Sequence, residues 1–248
     1  MKIRIIPTVL FNKSNCVKGK QFKSWRVCGN ITQVIKLYSL RQVDEIIFID
    51  ISANKNSINF RLIDEFADEC FMPITVGGGV KSLYDIEKLL KVGADRVCLN
   101  SSFFYKPEIL DQAIKHFGSQ CLVLSIDYKK ILDKNYVFVD CGETNTKLDL
   151  EEYLKKAIDY NPGEIILTSI ENDGMMNGYD HKTIYEVNEK FSQNFIISGG
   201  MSCSKDIAKI HGKTKIKAYS MSSIFHYTEN TPLSIKEELK ELGLEVRI

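Results

Sequence analysis

Three aspartates follow short apolar runs, the arrangement that places an acid at the end of a β-strand. Asp50 closes Ile46-Ile47-Phe48-Ile49, Asp127 closes Leu122-Val123-Leu124-Ser125-Ile126, and Asp173 comes four residues after Ser169. Asp127 is the candidate for proton transfer, because the top of an apolar strand is partly desolvated and desolvation moves a carboxyl pKa upwards, towards a useful value. Two glycine runs offer a second chemistry. Gly77-Gly78-Gly79 and Gly199-Gly200 each follow a strand-like run and precede a helical one, so backbone N–H groups and a helix N-terminus can approach an anion. Each run has a polar companion on the next strand, Asn100-Ser101 in one case and Ser222-Ser223 in the other.

The two constellations are the same one repeated. Gly78 and Gly199 lie 121 positions apart, and so do Ser101 and Ser222. That period is far beyond the roughly 20 to 50 residues of a solenoid repeat and fits half of an eight-stranded barrel of about 250 residues. Two cradles on opposite sides of a barrel mouth suit an elongated substrate with a phosphate at each end. The counterpart of Asp127 falls within Val9-Leu10-Phe11, which contains no carboxylate.

The elements that must position these groups read as eight strand-helix units. Candidate strands run from Arg4 to Leu10, Glu45 to Asp50, Ile74 to Val76, Arg96 to Leu99, Leu122 to Asp127, Glu164 to Ser169, Phe195 to Ser198 and Lys217 to Met221. Charged segments of helical period separate them, as expected of a parallel sheet built from βαβ units. Between Ser82 and Leu90, for example, Leu83, Ile86, Leu89 and Leu90 share a face, Ser82 is placed to cap and Gly93 to stop the helix. Two stretches break the rhythm: a loop over 12–29 containing Trp25, and a small hairpin over 131–142. Both follow strand ends on the catalytic face and are read as covers for the substrate. The expected fold is one (β/α)8 TIM barrel over residues 1–248, made of two half-barrels meeting near residue 120.

Composition narrows the partners. With 33 basic and 32 acidic residues the net charge is +1, so no global field favours nucleic acid. The apolar runs are too short to span a membrane and the start of the chain lacks a signal-peptide pattern, which predicts a soluble cytoplasmic protein. Seven cysteines form no C-x-x-C pair and four histidines are scattered, so neither a disulfide framework nor a metal site is expected, and no cofactor is implied.

Beyond these patterns, Phe117-Gly118-Ser119-Gln120-Cys121, Ser125-Ile126-Asp127-Tyr128-Lys129, Glu164 to Ser169, Asp173 to Asp180 and Ser223-Ile224-Phe225-His226, with the triple glycine, closely resemble the cyclase subunit of imidazole glycerol phosphate synthase. The resemblance spans essentially the whole chain. It implies a barrel that forms a heterodimer with a class I glutaminase, takes ammonia through its interior and uses it on a bisphosphorylated ribonucleotide. It further implies that Gly79, Asn100, Ser101, Gly174, Gly200, Ser222 and Ser223 hold phosphates, while Lys18, Asp50, Thr168 and Asp173 belong to the substrate face. An ammonia gate is implied at Arg4, Glu45, Arg96 and Glu164, with Asp95 facing the glutaminase.

One departure bears on the chemistry. The resembled family opposes two aspartates as general acid and base, and alignment of the first strand puts Leu10 where one of them belongs. Leucine carries no proton, so catalysis of its own by that route is expected to be crippled unless another group substitutes. Leu10, together with the stretch from Lys20 to Arg26, is similar to a branch that passes ammonia to a separate sugar amidotransferase in bacterial surface polysaccharide biosynthesis. The readings carried forward are that conduit, a genuine cyclase/lyase of histidine biosynthesis, and a single-chain sugar-phosphate isomerase, which would need no gate.

Overall fold

The computed structural model describes residues 2–41, 43–53 and 57–247. Its first quarter contains β1 (Arg4–Asn12), β2 (Asn15–Lys20), β3 (Lys23–Asn30), α1 (Ile31–Ser39), β4 (Ile46–Asp50) and α2 (Phe60–Ala67). Then come β5 (Ile74–Gly77), α3 (Leu83–Lys91), β6 (Arg96–Leu99), α4 (Ser101–Tyr105) and α5 (Glu108–Phe117). The second half runs through β7 (Leu122–Ile131), β8 (Lys134–Val139), β9 (Thr144–Asp149), α6 (Leu150–Asp159), β10 (Glu164–Ser169) and α7 (His181–Lys190). It ends with β11 (Phe195–Ser198), α8 (Ser204–His211), β12 (Ala218–Met221), α9 (Ser223–Tyr227) and α10 (Pro232–Glu241).

Strands β1, β4, β5, β6, β7, β10, β11 and β12 pair in parallel in that order, and β12 returns to β1. The sheet is therefore a closed (β/α)8 TIM barrel, and closure leaves no edge among these eight strands. All eight coincide with the runs read from sequence to within a few residues at their ends. The stretch read as a loop over 12–29 is instead the antiparallel hairpin β2–β3, continuing β1 through the pairs Leu10 with Val17 and Phe11 with Cys16. Its second strand is mostly exposed and polar, so it lacks the alternation by which a strand is recognised. The hairpin over 131–142 forms as expected and gains a third strand, β9.

Alternation along each strand divides the core in two. From β1, Ile5, Val9 and Phe11 point out into a large cluster shared with the helices, while Ile6 points in. Inside the barrel Ile6, Ile47, Cys98, Val123, Ile166, Ile196 and Ala218 form one compact layer. Helix ends are fixed by local chemistry: Ser82 Oγ accepts from the Asp85 N–H to cap α3, and Thr231 caps α10 with Pro232 at its first position. At the amino end of the barrel Lys236 of α10 forms a buried ion pair with Asp44 at 2.9 Å, and Asp44 also accepts from the Ile5 N–H. That contact fastens the last helix beside the start of β1 and β4.

The pairing registers repeat between the halves. Leu10 pairs with Ile49 as Asp127 pairs with Thr168, and Thr75 pairs with Arg96 as Ile196 pairs with Ala218. Leu10 is thus the register equivalent of Asp127. Near the polar companions the offset is 122, not the 121 read from sequence. Asn100 corresponds to Ser222, both preceding a five-residue helix with φ near −139° and −138°, and Ser101 corresponds to Ser223.

Candidate active site at the carboxyl end of the barrel

The strand ends converge on a cavity of about 870 Å³ that descends from the mouth into the barrel. Its wall includes Lys18, Asp50, Gly79, Asn100, Ser101, Asp127, Thr168, Asp173, Gly174, Gly200, Ser222 and Ser223, so every residue expected at the substrate face borders one space. Leu10 borders it too. Its floor is Ile47, Cys98 and Ile166.

Asp127 is the titratable centre. It is 7 % exposed, accepts from Asn100 Nδ2 at 2.7 Å and lies 3.4 Å from Ser125 Oγ. Burial pushes its pKa up to about 6, Asp173 nearby adds to the rise, and hydrogen bonds from Asn100, Thr168 and Ser125 hold it down. A carboxyl poised there can give or take a proton near neutral pH. Asp173 is bound on both oxygens by Lys18 Nζ at 2.7 and 2.8 Å, with Lys18 only 3 % exposed. Asp50 folds back on its own turn, accepting from the Ser52 N–H at 2.9 Å and its hydroxyl at 2.6 Å. His226 is neutral at physiological pH, since burial and then Lys18 lower its pKa to about 4. Cys98 on the floor is pushed up to about 12, chiefly by burial, so it packs as a thiol.

The glycines bring backbone close to backbone. A Cβ at Gly78 would lie 2.2 Å from the Asp50 carbonyl, and one at Gly200 2.2 Å from the Gly178 carbonyl. Both residues also have positive φ, so a side chain is doubly excluded. Just before each following helix a carboxylate from its first turn folds back, Asp85 Oδ2 accepting from the Lys81 N–H at 3.0 Å and Asp206 Oδ2 from the Ser202 N–H at 2.9 Å, which fixes the turn that leads from the glycines into the helix. Ser222 Oγ and Ser223 Oγ are buried without a hydrogen-bond partner among the described residues.

Several wall residues were not singled out from sequence. Tyr105, Asp140, Cys141 and Glu143 come from α4 and the β8–β9 turn, and Phe22 from the β2–β3 turn. The turns meet, since a Cβ at Gly142 would stand 3.0 Å from the Phe22 ring. Asp140 and Cys141 both adopt left-handed backbone (φ 56° and 57°), an arrangement that aims the Asp140 N–H at Ser101 Oγ, 2.9 Å away. The only sequence signal was the hairpin's position after a barrel strand.

At the opposite end, Arg4, Glu45, Arg96 and Glu164 form a closed ionic ring. Arg4 bonds both Glu45 and Glu164, and Arg96 Nη1 lies 2.9 Å from Glu45 and 2.6 Å from Glu164. Burial works against the Arg4 charge, but Glu164 and then Glu45 outweigh it and hold its pKa above the ordinary value. Glu45, Arg96 and Glu164 are each two residues before a floor residue of the cavity, so a single side-chain layer separates ring and cavity. Asp95 is exposed beside the ring and accepts from the Ile74 N–H at 2.8 Å.

Among the described residues no cluster of His, Cys, Asp or Glu could hold a metal ion, and no helix is long and apolar enough to cross a membrane. The sequence profile of the family described as "Histidine biosynthesis protein" matches residues 4–231. A Campylobacter jejuni protein bearing the subunit name hisF2 is 40% identical over 252 aligned positions, covering 100% of this chain and 99% of the relative. Proteins of Bacillus cereus strains G9842 and Q1, each named imidazole glycerol phosphate synthase subunit HisF, are 36% identical over 248 positions, 99% of this chain and 98% of theirs.

Proposed function

The chain belongs to the histidine biosynthesis protein family, as a barrel of the cyclase-subunit type found in imidazole glycerol phosphate synthase, and from that premise we propose that it conducts ammonia without closing an imidazole ring. In this reading a glutaminase docks at the ionic ring, beside Asp95, and releases ammonia into the barrel. The nitrogen then serves the amidation of a surface-sugar precursor by a separate amidotransferase.

The observation that carries the proposal is Leu10. Ring closure by paired acid and base needs a proton carrier on each side of the substrate, and the place register-equivalent to Asp127 holds a hydrocarbon. Loss of one such partner removes about 10²- to 10⁴-fold of rate. Lys18 does not stand in for it, because its ammonium is committed to Asp173. Retention of the ring supports transit: four charges with side chains between 9 % and 24 % exposed are costly to desolvate, and pairing on all sides keeps them in a shut state that one broken bond would open.

Reconstitution with the cognate glutaminase and ¹⁵N-amide glutamine tests this. Label should reach an amidated sugar without dilution by unlabelled ammonium in the medium, and full dilution would end the conduit reading. The genuine cyclase of histidine biosynthesis is favoured by one observation, the Asp127 carboxyl poised at about 6. An aspartate acting alone would have to serve as both acid and base.

A further inference from the structure

The two cradles differ in what their polar groups already hold. In the second half, the Ser222 and Ser223 hydroxyls are buried and lack a partner among the described residues, and Ser223 is only 6 % exposed. Both border the cavity beside Gly200. Buried hydroxyls are nearly always paired, so two adjacent unpaired ones within the cavity wall, a rotamer change away from the space itself, mark a place for an acceptor-rich ligand.

Their first-half equivalents are engaged. Asn100 donates to Asp127 at 2.7 Å, the Asp140 amide donates to Ser101 Oγ at 2.9 Å, and Ser101 Oγ in turn lies 3.4 Å from Asn100 Oδ1. The Asp140 carboxylate is kept at this corner by the Tyr105 hydroxyl, 2.6 Å from Oδ2, and Glu143, three residues on in the same turn, lines the same cavity. Lys81 and Lys106 also line the cavity and equal these two acids in formal charge, so the four side chains together bring no surplus of positive charge. A phosphate dianion here would have to break the Asp140 contact with Ser101 and settle near a carboxylate.

We propose that the natural ligand carries a single phosphate, held by Gly200, Ser222 and Ser223, and turns an uncharged, hydroxyl-bearing end towards Asp140 in the first-half lobe. The ligand class is a phosphate monoester of a hydroxyl-rich molecule, of a size up to that of a nucleotide in a cavity of about 870 Å³. A hydroxyl of that end donates to the Asp140 carboxylate oxygen that Tyr105 leaves open. The inference concerns the ligand alone and does not depend on nitrogen transit.

Calorimetric titration of the full chain with inorganic phosphate, fructose 6-phosphate and fructose 1,6-bisphosphate tests it. Phosphate and the monophosphate should bind at one equivalent per chain, with the bisphosphate within about twofold of the monophosphate and Ser223→Ala weakening all three by about tenfold or more. Ser222→Ala should act in the same direction, whereas Ser101→Ala should change affinity by less than about twofold. Circular dichroism of each variant checks that the barrel is intact. A bisphosphate that binds at least about tenfold tighter, with that gain lost in Ser101→Ala, would overturn the assignment. So would two phosphate equivalents, or no phosphate binding at all. Each of these results would leave the labelled-nitrogen experiment free to succeed or fail.

Discussion

Leu10 and Asp127 occupy equivalent registers on β1 and β7, strands that stand four places apart whichever way the barrel is followed. The pair is therefore diametric across the mouth, a hydrocarbon facing a carboxyl that burial raises towards neutrality. Four consequences can be measured.

Asp127 should make the protein more stable in mild acid. Burial raises its folded pKa to about 6, above the roughly 3.9 of an unfolded aspartate. Between those values the folded chain keeps a proton that the unfolded chain has released, so stability falls as pH rises and the penalty is complete above about pH 7. It amounts to about 3 kcal/mol at most, from about 1.4 kcal/mol per unit. Urea unfolding at pH 5 and pH 8 should show Asp127→Asn stabilising the chain at the higher pH and flattening the trend. An equal effect at both pH values would mean the carboxyl is not raised.

Lys18 and Asp173 should behave as a coupled pair. Lys18→Met leaves a buried carboxylate unpaired, a loss of about 3 kcal/mol in such settings, and Lys18→Met with Asp173→Leu should recover most of it. The single variant should also raise the Asp127 pKa, since Asp173 already pushes it upwards and would do so uncompensated. Carboxyl NMR titration reads that shift. A double variant no more stable than the single one, with Asp127 unmoved, would remove the coupling.

How much of this was legible beforehand differed by element. The eight barrel strands were, because β-branched runs between polar turns announce themselves locally. So was the absence of a carboxylate opposite Asp127. The Lys18–Asp173 pair was not, because its members are 155 positions apart and only barrel closure brings them together. The offset of 122 between Ser101 and Ser223 was hidden behind Ser101 and Ser222, which repeat at 121 by residue type. Strand β3 escaped because its exposed residues carry no inward-outward alternation.

Arg96→Ala should open the ionic ring without emptying the cavity. Arg96 contacts both Glu45 and Glu164, so its loss leaves two part-buried carboxylates sharing Arg4 alone. In the reconstituted complex, glutamine hydrolysis should continue while amidated product per glutamine falls, and added ammonium should restore product. An unchanged ratio would make the ring a structural clamp only.

The most direct measurement is ring closure itself. The purified chain, given ammonium salts and the bisphosphorylated ribonucleotide, should form almost no imidazole product, and Leu10→Asp should raise the rate by about 10²-fold or more by restoring the second proton carrier. Product from the unaltered chain at a rate that Leu10→Asp does not improve would contradict the account.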